Sequence, residues 1–188
     1  MDLDLYLARH GSTEWALNGR HTGITDLPLL PDGEEEARRL APRLAAAGIR
    51  TAFTSDRSRA RRTAELAGFP DAIVTPLLRE VDYGEYEGVT SEEIHRTRPG
   101  WEIYHDGCPR GESPEQIYAR AQEALRLADE APGPVLFFSH GHFLRALATA
   151  WTELGISAAA RFALDTATLC LLREGDRGRV IQGWNVPG

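Results

Sequence analysis

Two histidines follow apolar runs in the same way along this chain. In LYLARHGSTEW one run ends in Arg9, His10 and Gly11, and in VLFFSHGHFLRAL another ends in Ser139, His140, Gly141 and His142. Imidazole titrates near neutrality, so its unprotonated ring is available as a nucleophile at ordinary pH. Arginine is a permanent cation whose planar fork of donors matches phosphate oxygens. Besides Arg9, the stretch DRSRARRTAE supplies Arg57, Arg59, Arg61 and Arg62. A nucleophilic imidazole among guanidinium groups suits phosphoryl transfer, where electrostatic clamping of the transferred group does most of the catalysis. The departing alkoxide needs a proton, and LLREVDYGEYEG offers Glu80, Asp82, Glu85 and Glu87 as general acids. At helical spacing Arg57 and Arg61 share one face and Arg59 and Arg62 another, so at most one pair faces a ligand. Arg59, in the first turn and nearest the preceding strand end, is the candidate.

These side chains need a scaffold that gathers strand ends. Residues 3–8 form a short apolar run closed by a turn signal, the pattern of a buried strand. Residues 31–48 read as a helix that Pro42 weakens or kinks and Gly48 closes. A strand over 49–55, a helix over 56–68 and a short strand over 72–76 follow. Residues 78–112, rich in Gly, Tyr, Trp and Pro, read as an irregular, loop-dominated lobe covering the site. Ser113, Pro114 and Gln116 then open a helix with a capping box. A strand over 134–139, a helix over 142–154 and strands over 167–174 and 178–184 complete the chain. Alternating helices and apolar strands predict one domain, residues 1–188, with the fold class of a three-layer α/β/α sandwich around a mostly parallel central sheet. In such sheets ligands bind beyond the carboxyl ends of the strands, where both histidines fall. The glycine after each is read as permitting unusual backbone angles and close ligand approach.

Composition narrows the partners. With 42% hydrophobic and 26% charged residues, the chain reads as an ordinary soluble globular protein. A formal net charge of −7 argues against nucleic-acid binding, while a local arginine cluster can still hold a small anion. Cys108, in a loop, and Cys170, in an apolar strand, lack metal-ligand spacing and are too few for a disulfide framework. No leader pattern and no membrane-length apolar run occur, so a cytoplasmic location and no membrane partner are expected. A homodimer is compatible with this composition.

The segments RHGSTEW, GRHTGITDLPL, TSDRSRARRTAE, LREVDYGEYEG and SHGHF, in this order and over nearly the whole chain, resemble the histidine phosphatase (phosphoglycerate mutase-like) superfamily. The resemblance implies that His10 becomes a transient phosphohistidine, that Arg9, Arg59 and His140 bind the transferred phosphoryl group, and that Glu80 is the proton donor. It places Thr13, Arg20, Thr22, Gly23, Tyr83, Gly141 and His142 against the substrate. It implies no metal and no organic cofactor. Two departures stand in the first motif: Ser12 where the family usually carries Glu, and Ala16 where it commonly carries Asn. Both are expected to alter substrate contacts rather than the phosphoryl pocket. The chain lacks the long insertion of the glycolytic mutases, and CPRGESPEQ and RFALDTATL look more like phosphatase members. The expected activity is hydrolysis of small phosphorylated metabolites, sugar phosphates or similar.

Competing readings make different demands. A phosphoglycerate mutase would return the phosphoryl group to a bound intermediate, and a catalytically silent module would bind phospho-ligands or proteins without turnover. A metal site would need His10, His140 and His142 together, with Arg9 and Arg59 opposing the cation. A serine nucleophile at Ser12, Ser55 or Ser139 would lack the G-x-S-x-G elbow, and Ser55 reads as a helix N-cap. His142 either caps its helix or lines the pocket. His21, His95 and His105 read as surface or loop residues. Asp82 rivals Glu80 as the acid.

Overall fold

The computed structural model describes residues 3–176 and 178–188. In chain order the elements are β1 (Asp4–Arg9), α1 (Glu14–Asn18), α2 (Pro31–Arg39), α3 (Ala41–Ala46), β2 (Thr51–Ser55), α4 (Ser58–Leu66), β3 (Ile73–Thr75), α5 (Ser91–Thr97), α6 (Ile103–Asp106), α7 (Pro114–Glu130), β4 (Val135–Ser139), α8 (Gly141–Trp151), β5 (Thr168–Gly175) and β6 (Gly178–Pro187). They form one six-stranded sheet in the order β3-β2-β4-β1-β5-β6. The first four strands of that order run parallel, and β5 and β6 join antiparallel.

The central strands are apolar on both faces because helices cover both. Leu5 and Leu7 of β1 and Val135 and Phe137 of β4 pack with Ala121, Leu125, Leu144 and Leu147 of α7 and α8. The alternate residues Ala8, Leu136 and Phe138 pack with Leu40, Leu44, Ala64 and Ala67 around α2, α3 and α4. A period of two thus divides each strand between two cores.

Pro42 does more than kink the predicted helix. Lacking an N–H, it cannot continue the helical ladder; α2 ends at Arg39, and Pro42 stands in the first turn of α3. Two features differ from the sequence reading. The short helix α1 was not anticipated; Thr13 caps it and Gly19 closes it in the left-handed conformation at φ 74°. The lobe is also less irregular than predicted. Thr90 and Glu93 form a capping box on α5, and Val81, Tyr83, Ile94, Trp101, Ile103 and Tyr104 build a separate apolar cluster that seats on Ile117 and Ala146 of α7 and α8.

The glycine after His10 serves neither unusual angles nor ligand approach, since Gly11 is not among the residues with positive φ. A Cβ at Gly11 would stand 2.2 Å from the carbonyl oxygen of Gly33, and one at Gly33 would stand 2.2 Å from that of Ser12. The two glycines let the β1 exit and the first turn of α2 touch backbone to backbone. Gly11→Ala is therefore expected to cost about 2–4 kcal/mol of stability, read as a lowered urea midpoint. Gly155→Ala, whose Cβ meets nothing within 4 Å, is the control and should stay within about 0.5 kcal/mol.

Candidate active site

Strand register brings the two histidines together. Arg9 of β1 is the partner of Ser139 of β4 in the parallel ladder, and the His10 N–H donates to the Ser139 carbonyl at 3.1 Å. The next residue on each strand is a histidine, and the rings of His10 and His140 meet edge to face with centroids 5.1 Å apart.

His10 is 5% exposed, and its Nδ1 lies 2.8 Å from the Gly11 carbonyl oxygen. A carbonyl can only accept, so Nδ1 carries the proton and the Nε2 lone pair is left for chemistry. Burial, then the charges of Arg59 and Arg9, hold the His10 imidazolium well below the usual histidine range. The nucleophile therefore keeps its lone pair into mildly acidic solution.

His140 is fully buried and committed on both sides. Its Nδ1 accepts from Arg59 Nε at 3.2 Å, so Nε2 bears the hydrogen that Ser55 Oγ accepts at 2.9 Å. Arg59 is fully buried as well. Its guanidinium donates to the carbonyls of Thr22 and Thr25 at 2.8 and 2.9 Å, while its nearest carboxylate, on Asp26, is 3.9 Å away and partly exposed. Hydrogen bonds to neutral carbonyls leave the cation's charge uncompensated at contact distance. Arg62, on the same predicted helix face, turns outward to Glu34 and Glu65. Ser55 is not the N-cap of α4; Arg57 holds that position, and its N–H reaches Ser55 Oγ at 3.3 Å.

A cavity of about 200 Å³ opens in front of His10. It is lined by Arg9, His10, Glu80 and Gly141, by Tyr83, His142, His21, Arg145 and Leu164, and by Trp15, Ala16, Gly19, Arg20, Thr22 and Ser91. Arg59 and His140 stand behind this lining. Of the predicted substrate contacts, Arg20, Thr22, Tyr83, Gly141 and His142 line the cavity, and Thr13 and Gly23 do not. Thr13 is buried, with its hydroxyl accepting the Ala16 N–H at 3.3 Å. The Gly23 N–H donates to Glu87, and a Cβ there would meet the Val81 carbonyl oxygen at 2.4 Å. Gly141 faces the side chain of Arg9, whose guanidinium carbon would lie 3.2 Å from an added Cβ.

The carboxylates sort themselves by position. Glu80 is 8% exposed and accepts the Val81, His142 and Phe143 N–H groups at 2.9, 3.0 and 2.8 Å. It thereby caps α8, which has no side-chain cap of its own. Asp82 lies outside this cavity and accepts the Gly84 N–H. Glu87 clamps the 23–25 backbone, and Glu85 pairs with Arg110.

Several expectations are revised. His21 is no surface residue: it is 5% exposed, its ring lies 4.7 Å from that of Tyr83, and it lines the cavity. His95 and His105 are exposed. Ser12 makes no cavity contact, because its hydroxyl bonds Glu36 and Thr166, whereas Ala16 does stand in the lining. Ser139 donates its hydroxyl proton to the Leu78 carbonyl at 2.7 Å, so Ser12, Ser55 and Ser139 are all engaged away from the cavity. Among the described residues no group of three or more His, Cys, Asp or Glu side chains is placed to hold a metal ion. The sequence reading also missed Arg145, which its helix presents to the cavity wall.

Burial likewise holds the His140 and His142 rings well below the usual histidine range, with Arg59 the next cause for His140 and Arg145 for His142. A histidine neutral in the fold but protonated in the unfolded chain stabilises fully above about pH 6.5 and loses that contribution as pH falls. For His10, His140 and His142 together the slope is about 4 kcal/mol per pH unit below that value. Urea midpoints at pH 7.5, 6.5 and 5.5 should therefore fall steeply only across the last interval.

The family model of the histidine phosphatase superfamily (branch 1) matches residues 5–187, and the chain belongs to that superfamily. It is 40% identical over 185 residues to an acid phosphatase of Mycobacterium tuberculosis, covering 95% of this chain and 91% of that protein. It is 34% identical to a sedoheptulose 1,7-bisphosphatase of Saccharomyces cerevisiae, covering 80% and 68% respectively. A solved structure of an open reading frame from Mycobacterium tuberculosis superposes with a TM-score of 0.95 at 38% identity, over 98% of this chain and 97% of that one.

Proposed function

We propose that this phosphatase hydrolyses small phosphomonoesters in two steps through a phosphohistidine on His10. The observation that carries the reading is the free Nε2 lone pair of His10, fixed by the Nδ1 contact to Gly11 and facing a cavity walled by arginine. In the first step Nε2 attacks phosphorus in line, the P–N bond forms, the P–O ester bond breaks, and Glu80 gives its proton to the departing oxygen. Arg9 and Arg59 offset the charge on the transferred oxygens, and His140, locked by Arg59 and Ser55, backs the nucleophile. In the second step water attacks phosphorus, its proton passes to Glu80, and the P–N bond breaks. Sugar phosphates and similar small esters fit a cavity of this size.

Incubation with 3-phosphoglycerate and with a panel of sugar phosphates separates this reading from its rivals. Free phosphate from the panel, with no isomer exchange of the phosphoglycerate, is the expected result. Exchange without release would make the protein a mutase, and binding without either would make it a silent module.

A further inference from the structure

Glu80 lies on irregular chain, and two side chains outside the cavity hold that chain in place. Residues 79–83 belong to no helix or strand, so their backbone groups need partners other than a regular ladder. Arg120 of α7 donates to the carbonyls of Leu77, Arg79 and Glu80 at 3.1, 2.8 and 3.4 Å. Glu112 accepts the Asp82 N–H at 2.8 Å, and its own N–H donates to the Asp82 carbonyl at 2.9 Å. The two side chains are themselves joined. Arg120 Nε and Nη2 each meet a Glu112 oxygen at 2.8 Å, and the two side chains are only 17% and 20% exposed. A guanidinium and a carboxylate matched at two points are fixed in orientation as well as held in contact. The pair brackets Glu80 on both sides.

Arg120 also reaches the residue that orients the carboxylate. Its guanidinium carbon lies 4.1 Å from the centre of the Phe143 ring, and the Phe143 N–H donates to Glu80 Oε1 at 2.8 Å. One guanidinium thus touches both the backbone that carries the acid and the residue that aims it. Neither Arg120 nor Glu112 lines the catalytic cavity, so neither meets the transferred group. We infer that Arg120, locked by Glu112, is a positioning residue that fixes where the Glu80 carboxyl stands relative to the departing ester oxygen. The inference rests on Glu80 being the proton donor in the reading above. A carboxyl displaced by about 1 Å delivers its proton poorly to an ester oxygen, while attack by His10 is left as it was.

Esters that differ in their need for an acid test this. The departing oxygen of a sugar phosphate requires a proton, whereas 2,4-dinitrophenolate leaves without one. Phosphohistidine formation is followed by rapid quench with saturating ester of each kind. Arg120→Gln should slow it roughly 10- to 100-fold with a sugar phosphate that the wild type hydrolyses, and hardly at all with 2,4-dinitrophenyl phosphate. Arg120→Lys keeps the charge without the fork, and Glu112→Gln removes the ion pair with Arg120 in place. Both should show the same bias in weaker form, and the comparison stands on whichever of the three variants fold. Equal slowing with both esters marks a merely structural role and overturns the inference, and so does slowing with neither. Glu80→Gln is the reference and should show the largest bias. A bias present in Glu80→Gln and absent from the Arg120 and Glu112 variants overturns the positioning role alone. No bias in Glu80→Gln overturns the assignment of the acid, and the inference with it.

Discussion

Replacement of His10 by alanine is expected to lower phosphate release by about 10⁵-fold, the scale of removing a covalent nucleophile. No neighbouring group can take its place. His140 has both nitrogens engaged, and the nearby serines donate or accept elsewhere. Inorganic phosphate should still bind, because Arg9 keeps its place at the Leu164 carbonyl. The fold should persist too, since the imidazole is not part of either sheet core. The same variant should also lose one proton's worth of the acid destabilisation described above, about 1.4 kcal/mol per pH unit. A variant that kept a tenth of wild-type turnover would remove His10 from the chemistry.

The second large effect belongs to Arg59. Arg59→Met removes a buried cation together with the donors to Thr22, Thr25 and His140. Losing the charge should reduce kcat/KM by about 10³-fold, as for other groups that stabilise a transferred phosphoryl. Leaving two carbonyls and one imidazole nitrogen without donors should cost about 3 kcal/mol or more of stability. The two losses separate in Arg59→Lys, which keeps the charge and loses the fork. Lysine should recover part of the activity and little of the stability. If the lysine variant instead matched wild type in both, the hydrogen-bonded loop at 22–25 would have no part in holding the site.

How far the sequence disclosed this site follows from which interactions are local. An apolar run ending in Arg-His-Gly marks a strand end, and a parallel sheet sets such ends side by side, so His10 and His140 were legible before any coordinates. Arg59 was legible through its place in the first helical turn after a strand end, whereas the partners of Arg62, which shares its face by spacing, could not be read locally because Glu34 lies on another helix. The lobe was less readable. Its helices of 7 and 4 residues are too short to show amphipathic periodicity, although Thr90 and Glu93 carried a capping signal that a closer reading would have found. The burial of His21 could not be read locally, because Tyr83 and Trp101, contributed by the lobe, enclose it. Arg145 was given no role in the sequence reading. Its contacts to Phe162 and to the Tyr104 ring come from segments distant in sequence and form only in the fold.

The central claim is that His10 Nε2 carries the phosphoryl group between the two steps. Rapid mixing with substrate labelled in the phosphoryl group, followed by denaturing quench and peptide mapping, tests it directly. The account predicts label on the peptide containing His10, stable in base and lost in acid, absent in His10→Ala and longer-lived in Glu80→Gln. Label on a serine, or steady turnover with no labelled protein at any time, would contradict it.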